Sequence, residues 1–113
     1  MMLRYWSARA VDAANADAYE RHATGAVFPA LERMAGFRGA MLLRREVDDA
    51  IELVVMTLWD SMAAIHAFAG ADAEAAVVGP DAQAVLTSFD SRVRHYQLTA
   101  DTRLPTLGDP AGA

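Results

Sequence analysis

The segment from Ile51 to Trp59, IELVVMTLW, constrains this chain more than any other. Leu53, Val55, Thr57 and Trp59 alternate with Val54, Met56 and Leu58, so a strand here is largely apolar on both of its faces. A strand with one wet face alternates polar and apolar residues, so this one needs cover on both sides. Upstream, Phe37 to about Glu46 reads as a second apolar strand, and the polar turn at Asp48-Asp49 joins the two into a hairpin. Helices can cover one face. The other requires something a short chain does not obviously supply.

The elements around the hairpin say which architecture this is. Residues 2 to 10 form a short strand pattern, with Leu3, Tyr5 and Ser7 on one side and Arg4, Trp6 and Ala8 on the other. From Asp17 to Met34, Tyr19, Ala23, Ala26, Val27, Ala30, Leu31 and Met34 make the stripe of an amphipathic helix. Pro29 predicts either a kink or a second short helix from about Phe28. Asp60-Ser61 signals the start of a helix that ends near Gly70, Asp72 to Val78 suggests a further turn or two, and Pro80 opens a helix through Phe89. The stretch SRVRHYQLTA is a last strand. Strand, helix, strand, strand, helix, strand is the order of an α+β, ferredoxin-like βαββαβ domain, whose helices cover one face of a four-stranded antiparallel sheet. The doubly apolar strand implies that the other face is buried too, most simply against a second copy across a two-fold axis.

At 113 residues, 54% of them hydrophobic, the chain suits one folded core and not two. Residues 1–100 are read as the domain and 101–113, with Pro105, Gly108, Pro110 and Gly112, as a loose tail. A net charge of −5 argues against nucleic acid or an anionic membrane as partner. With no cysteine there is no disulfide, thiolate nucleophile or thiolate metal site. The sequence shows neither a signal-peptide pattern nor an apolar run of the ~18 residues that a membrane span needs, so the expected location is the cytoplasm.

The stretches ALERMAGFRGAMLLRR, LVVMTLWDSMAAIHAFAG, AVVGPDAQAVL and FDSRVRHYQL, in this order and spacing, resemble the antibiotic-biosynthesis monooxygenase-like (ABM) family of dimeric α+β barrels. The resemblance spans about residues 2 to 98 and is most specific at Trp59-Asp60-Ser61 and at His95-Tyr96. It implies the ferredoxin-like fold, a homodimer, and one of several activities: oxygenation of quinol- or anthrone-like aromatics without a cofactor, haem degradation, or none assigned. The haem-degrading members are similar in having an asparagine on the first strand, a tryptophan on the short helix and a histidine as iron ligand. Those places fall here on Ser7 or Ala8, Phe68 and Val78, and valine cannot ligate iron. Relative to the polyketide oxygenases Trp59 matches, but the associated polar positions fall on Val55 and Ile65.

Candidate residues have a structural reading beside the functional one. No two of the three histidines stand at a metal-ligand spacing, so no protein-built metal site is expected. His22 and His66 are the candidate bases, although each also reads as a boundary residue at the edge of a helix's apolar stripe. Tyr19, Trp59 and Phe68 are candidate substrate contacts, and aromatic burial alone would also account for them. His95 and Tyr96 point to opposite faces, so at most one serves a given pocket. The expectation is a monooxygenase that holds a small aromatic between sheet and helices, or, in a different class, a homodimer that binds an apolar molecule without catalysis.

Overall fold

The computed structural model describes residues 1–103, so the tail expected over 101–113 lies, from residue 104 onward, outside the described residues. Strand β1 (Met2–Ala10) alternates as its sequence demands, with Arg4, Trp6, Ala8 and Ala10 buried and the residues between them half-buried. Helix α1 (Ala13–His22) begins earlier than its apolar stripe suggested, because the Asp12 carboxylate accepts the Asn15 amide at 2.9 Å and caps it. A π-helical turn (Ala23–Val27) and a short helix α2 (Phe28–Glu32) follow, with Pro29 in the first turn of α2. The Phe28 amide bonds to the Ala23 carbonyl, five residues back, and this wider turn accommodates Pro29 just ahead of it. The extra residue also rotates the stripe, leaving Ala26 and Ala30 exposed although simple helical spacing placed them inside.

The hairpin forms where expected, as β2 (Phe37–Val47) and β3 (Ala50–Trp59). Asp48 and Asp49 take φ of 49° and 62°, a tight turn in which aspartate tolerates the left-handed region. Gly36 has φ of 83°, and a Cβ there would come within 2.6 Å of the Ala64 Cβ, so glycine lets the start of the hairpin meet helix α3 (Met62–Ala69). Ser61 caps α3 by accepting the Ala64 amide at 3.2 Å.

The helix expected from Pro80 to Phe89 is only α4 (Pro80–Gln83), and Ser88–Phe89 is a short strand, β4. The outer edge of β1 accounts for the difference. Thr87 and Asp90 donate their amides to the Arg9 and Ser7 carbonyls at 2.8 and 2.9 Å, bonds that a continued helix would forgo. The final strand, β5 (Arg94–Gln97), takes the rest of that edge. The antiparallel sheet runs β2-β3-β1-β4, with β5 also on β1, so five strands fill four positions. Between α3 and α4 the chain is a loop that forms a bridge from Ala75 to Arg92, where the Ala76 and Val93 amides donate to the Ser91 and Glu74 carbonyls at 2.9 and 2.8 Å.

Helices cover one face of the sheet. Trp6, Ala8, Tyr19 and Leu53 centre one buried cluster there, and Leu31, Trp59 and Ile65 a second. The opposite face carries Leu3, Tyr5, Met41, Leu43, Val54 and Met56 in register, and Leu43 stays 46% exposed. The Arg103 guanidinium rests on the Met41 sulfur at 3.4 Å, so the last described residues touch that face.

Candidate functional site

Where the two buried clusters meet, the covered face encloses a cavity of about 90 Å³. Its floor is Arg4 and Trp6 from β1 with Val55 and Thr57 from β3. Tyr19, His22, Val27 and Leu31 form one wall, and Phe68, the 77–79 loop, Ala82 and Val93 close the remainder. His22 and Val27, five residues apart, would diverge on a regular helix; the π turn between them lets both reach the cavity.

Two of the aromatic candidates line it directly. Tyr19 is buried, packs at 6.0 Å from Trp6 and edge-on to His22 at 6.4 Å, and burial pushes its phenol up to about 12. It therefore stays protonated and can donate but not act as a base. Phe68 faces the cavity and stacks on Trp59 at 5.4 Å. Trp59 itself is wholly buried behind it, edge-on to Phe37 at 5.3 Å, with its indole N–H donated to the Thr57 hydroxyl at 2.9 Å. It supports the wall and does not form it.

The geometry separates the two histidines proposed as bases. His22 is half-buried on the cavity wall. His66 is exposed near the end of α3, its Nδ1 lies 3.0 Å from the Gly70 carbonyl, and it does not line the cavity. Ile65, next to it, is buried in the second cluster and also off the cavity, whereas Val55 and Val78 are in its lining. Ser7 points to the open face, leaving Ala8 as the residue of that pair that faces inward.

Reading the sequence for function passed over Arg4. It is 5% exposed, donates to the Ala73 carbonyl and, at 2.7 Å, to the Ala75 carbonyl, lies 3.0 Å from His95 Nε2, and sits over the Phe68 ring at 5.5 Å. Burial lowers its pKa, and burial together with the nearby Arg4 charge lowers that of His95. The signal was present in the alternation: a charge in the same set as Trp6 and Ala8 must sit under the helices. Tyr96 points the other way and is 48% exposed. Among the described residues no three histidine or carboxylate groups gather as a metal site, and no helix is long and apolar enough to cross a membrane.

Comparison with known proteins agrees with this architecture. No curated protein matches the chain. Among solved structures, a putative antibiotic biosynthesis monooxygenase from Bacillus cereus superposes with a TM-score of 0.59 at 18% identity, over 89% of this chain and 95% of that one. The haem degrader MhuD from Mycobacterium tuberculosis gives 0.58 at 24% identity, over 88% and 97%. The monooxygenase ActVA-Orf6 of Streptomyces coelicolor, in complex with nanaomycin D, gives 0.57 at 19% identity, over 93% and 92%. At these identities the likenesses establish the fold. A family profile described as antibiotic biosynthesis monooxygenase matches residues 8–80, most of the sheet and the cavity wall, and the chain belongs to that family.

Proposed function

We propose that the chain is a monooxygenase needing neither metal nor flavin, which oxidises a small electron-rich aromatic such as a quinol or anthrone in this cavity. One observation carries the reading: an imidazole, His22, and a phenol held neutral, Tyr19, share a wall of an otherwise largely apolar cavity. A substrate whose anion is readily oxidised can itself reduce oxygen, so the protein need only bind it, take a proton and exclude water. His22 accepts the proton from the substrate, Tyr19 donates a hydrogen bond, and Phe68, backed by Trp59, holds the ring. For naphthalene-1,4-diol, the quinol and one O₂ become 2-hydroxy-1,4-naphthoquinone and one water, with all electrons supplied by the substrate.

The cavity is well below the roughly 300 Å³ at which drug-sized pockets begin. Single-ring and small two-ring substrates therefore suit it better than tricyclic ones. Haem, which MhuD binds, suits it worst, because Val78 stands where an imidazole would be needed.

The open face supports a homodimer as the working unit, since an apolar sheet face of this extent is costly to leave in water. Val55 and Val78 in the lining favour the second reading, a homodimer that binds an apolar molecule without turnover. Oxygen uptake with a panel of benzene and naphthalene quinols separates the two. The oxygenase reading expects uptake above the spontaneous rate, lowered about 100-fold or more by His22→Gln and unaffected by His66→Gln. Uptake no faster than buffer would leave only the binding reading; unchanged turnover in His22→Gln would remove His22 as the base.

A further inference from the structure

The register of the sheet places Arg4 of β1 between His95 of β5 and Thr57 of β3. These three side chains form one polar row across an apolar floor, and Arg4 and Thr57 both line the cavity. Within the row the proton positions follow from donor chemistry. Arginine has only donors, so His95 Nε2 is the acceptor at 3.0 Å and the imidazole is neutral, with its proton on Nδ1. Thr57 Oγ1 already accepts the Trp59 indole N–H at 2.9 Å, which leaves its own O–H to donate. Of the five N–H donors of a guanidinium, Arg4 commits three, to Ala73, Ala75 and His95.

What remains unexplained is the charge. Among the described residues no carboxylate pairs with Arg4, and every ion pair lies elsewhere, on groups more exposed than this one. Two carbonyls and an imidazole could be tied by a neutral donor without the cost of burying a cation. A buried cation with donors to spare, beside a free hydroxyl proton, in a cavity whose other walls are mainly apolar, has the makings of an anion receptor.

We propose that the His95–Arg4–Thr57 row is an anion-binding site, and that the cavity takes an aromatic ring bearing a carboxylate or phenolate. The oxygen meets Arg4 and Thr57 at the floor, and the ring lies against Leu31, Val55 and Phe68. Anion capture rests on the cavity being a small-molecule site, as argued above, and not on oxygen chemistry.

The test compares benzoate with benzamide, close in shape and different in charge, titrated into the full chain and followed by tryptophan fluorescence from Trp6 and by NMR. Benzoate is expected to bind about tenfold tighter or more, the worth of one charge-assisted hydrogen bond. Arg4→Gln is expected to abolish the preference while benzamide still binds, and Arg4→Lys to retain part of it. In case Arg4→Gln does not fold, the wild-type Arg4 Nε–H resonance gives a reading without a variant: it is expected to shift with benzoate and not with benzamide. Equal affinity for both ligands, a preference that survives in Arg4→Gln, or an unmoved Nε–H resonance would overturn the anion site and leave the cavity as a neutral one. Failure of both ligands to bind would overturn the site and the cavity's small-molecule role together.

Discussion

The two faces of one sheet are both apolar, for different reasons. Under the helices, Leu53 and Trp59 are wholly buried by the chain's own residues, the bonded row of Arg4, Thr57 and His95 crosses the floor, and Arg44, opposite Leu53, pairs with Asp17 of α1 at 2.7 Å. On the open side, Leu43, Val54 and Met56 lie flat in register with no helix above them, the cations that touch this face, Arg94 over Tyr5 and Arg103 at Met41, are exposed, and Arg45 and Glu52 sit at the end of the ladder. A face closed by its own chain can hold a cavity and a buried cation that, among the described residues, has no carboxylate partner. If the open face meets another copy, its apolar centre at Leu43, Val54 and Met56 is what that contact buries.

Substitutions on each side should therefore have different readouts. The largest effect expected is from Trp59→Ala, about 3–5 kcal/mol of stability in chemical denaturation, since it removes a wholly buried ring packed on Phe37 and Phe68. Leu43→Ala on the open face should cost the monomer less than about 1 kcal/mol. If the open face is the dimer contact, Met56→Lys weakens self-association by about 100-fold or more in sedimentation, with an unchanged circular dichroism spectrum. An unchanged association state would mean that this face is not the interface. Asp12→Ala should cost about 1 kcal/mol through loss of the α1 cap, and leave both faces intact.

The smallest effect is one of pH. His95 has its pKa lowered by burial, then by Arg4 and, more weakly, by His66, with Glu74 opposing. The unfolded chain thus binds a proton that the folded chain refuses. Stability from this source is complete above the ordinary histidine value near 6.5 and is lost as the pH falls from there toward the lowered folded value. In His95→Gln that part of the acid slope should vanish.

How much of this was legible in the sequence depended on how local the cause was. The hairpin was, because Asp48-Asp49 and the apolar runs beside it act on neighbours. Ser61 as a cap and the short helix from Phe28 were legible for the same reason. Strand β4 was not, since Thr87 to Asp90 leave the helical path for carbonyls of Arg9 and Ser7, about eighty residues away in sequence. The π turn was half legible: Pro29 marked the irregularity but not the rotation that exposes Ala26 and Ala30. Of the candidates chosen by type and stripe, Tyr19, His22 and Phe68 line the cavity. Trp59 stands behind Phe68 and His66 lies outside the cavity, placements that depend on packing and not on residue type. Arg4 required crediting the alternation of β1 over the habit of placing arginine in water.

The most direct test of this division of labour is methyl NMR on the wild-type chain under two perturbations, addition of naphthalene-1,4-diol without oxygen and dilution from millimolar to micromolar concentration. The expected result is that the diol moves the methyls of Leu31, Val55 and Val78 while dilution moves those of Leu43, Val54 and Met56. A diol response centred on Leu43 and Val54, or one set of methyls answering to both, would contradict the assignment of one face to a small molecule and the other to a second copy.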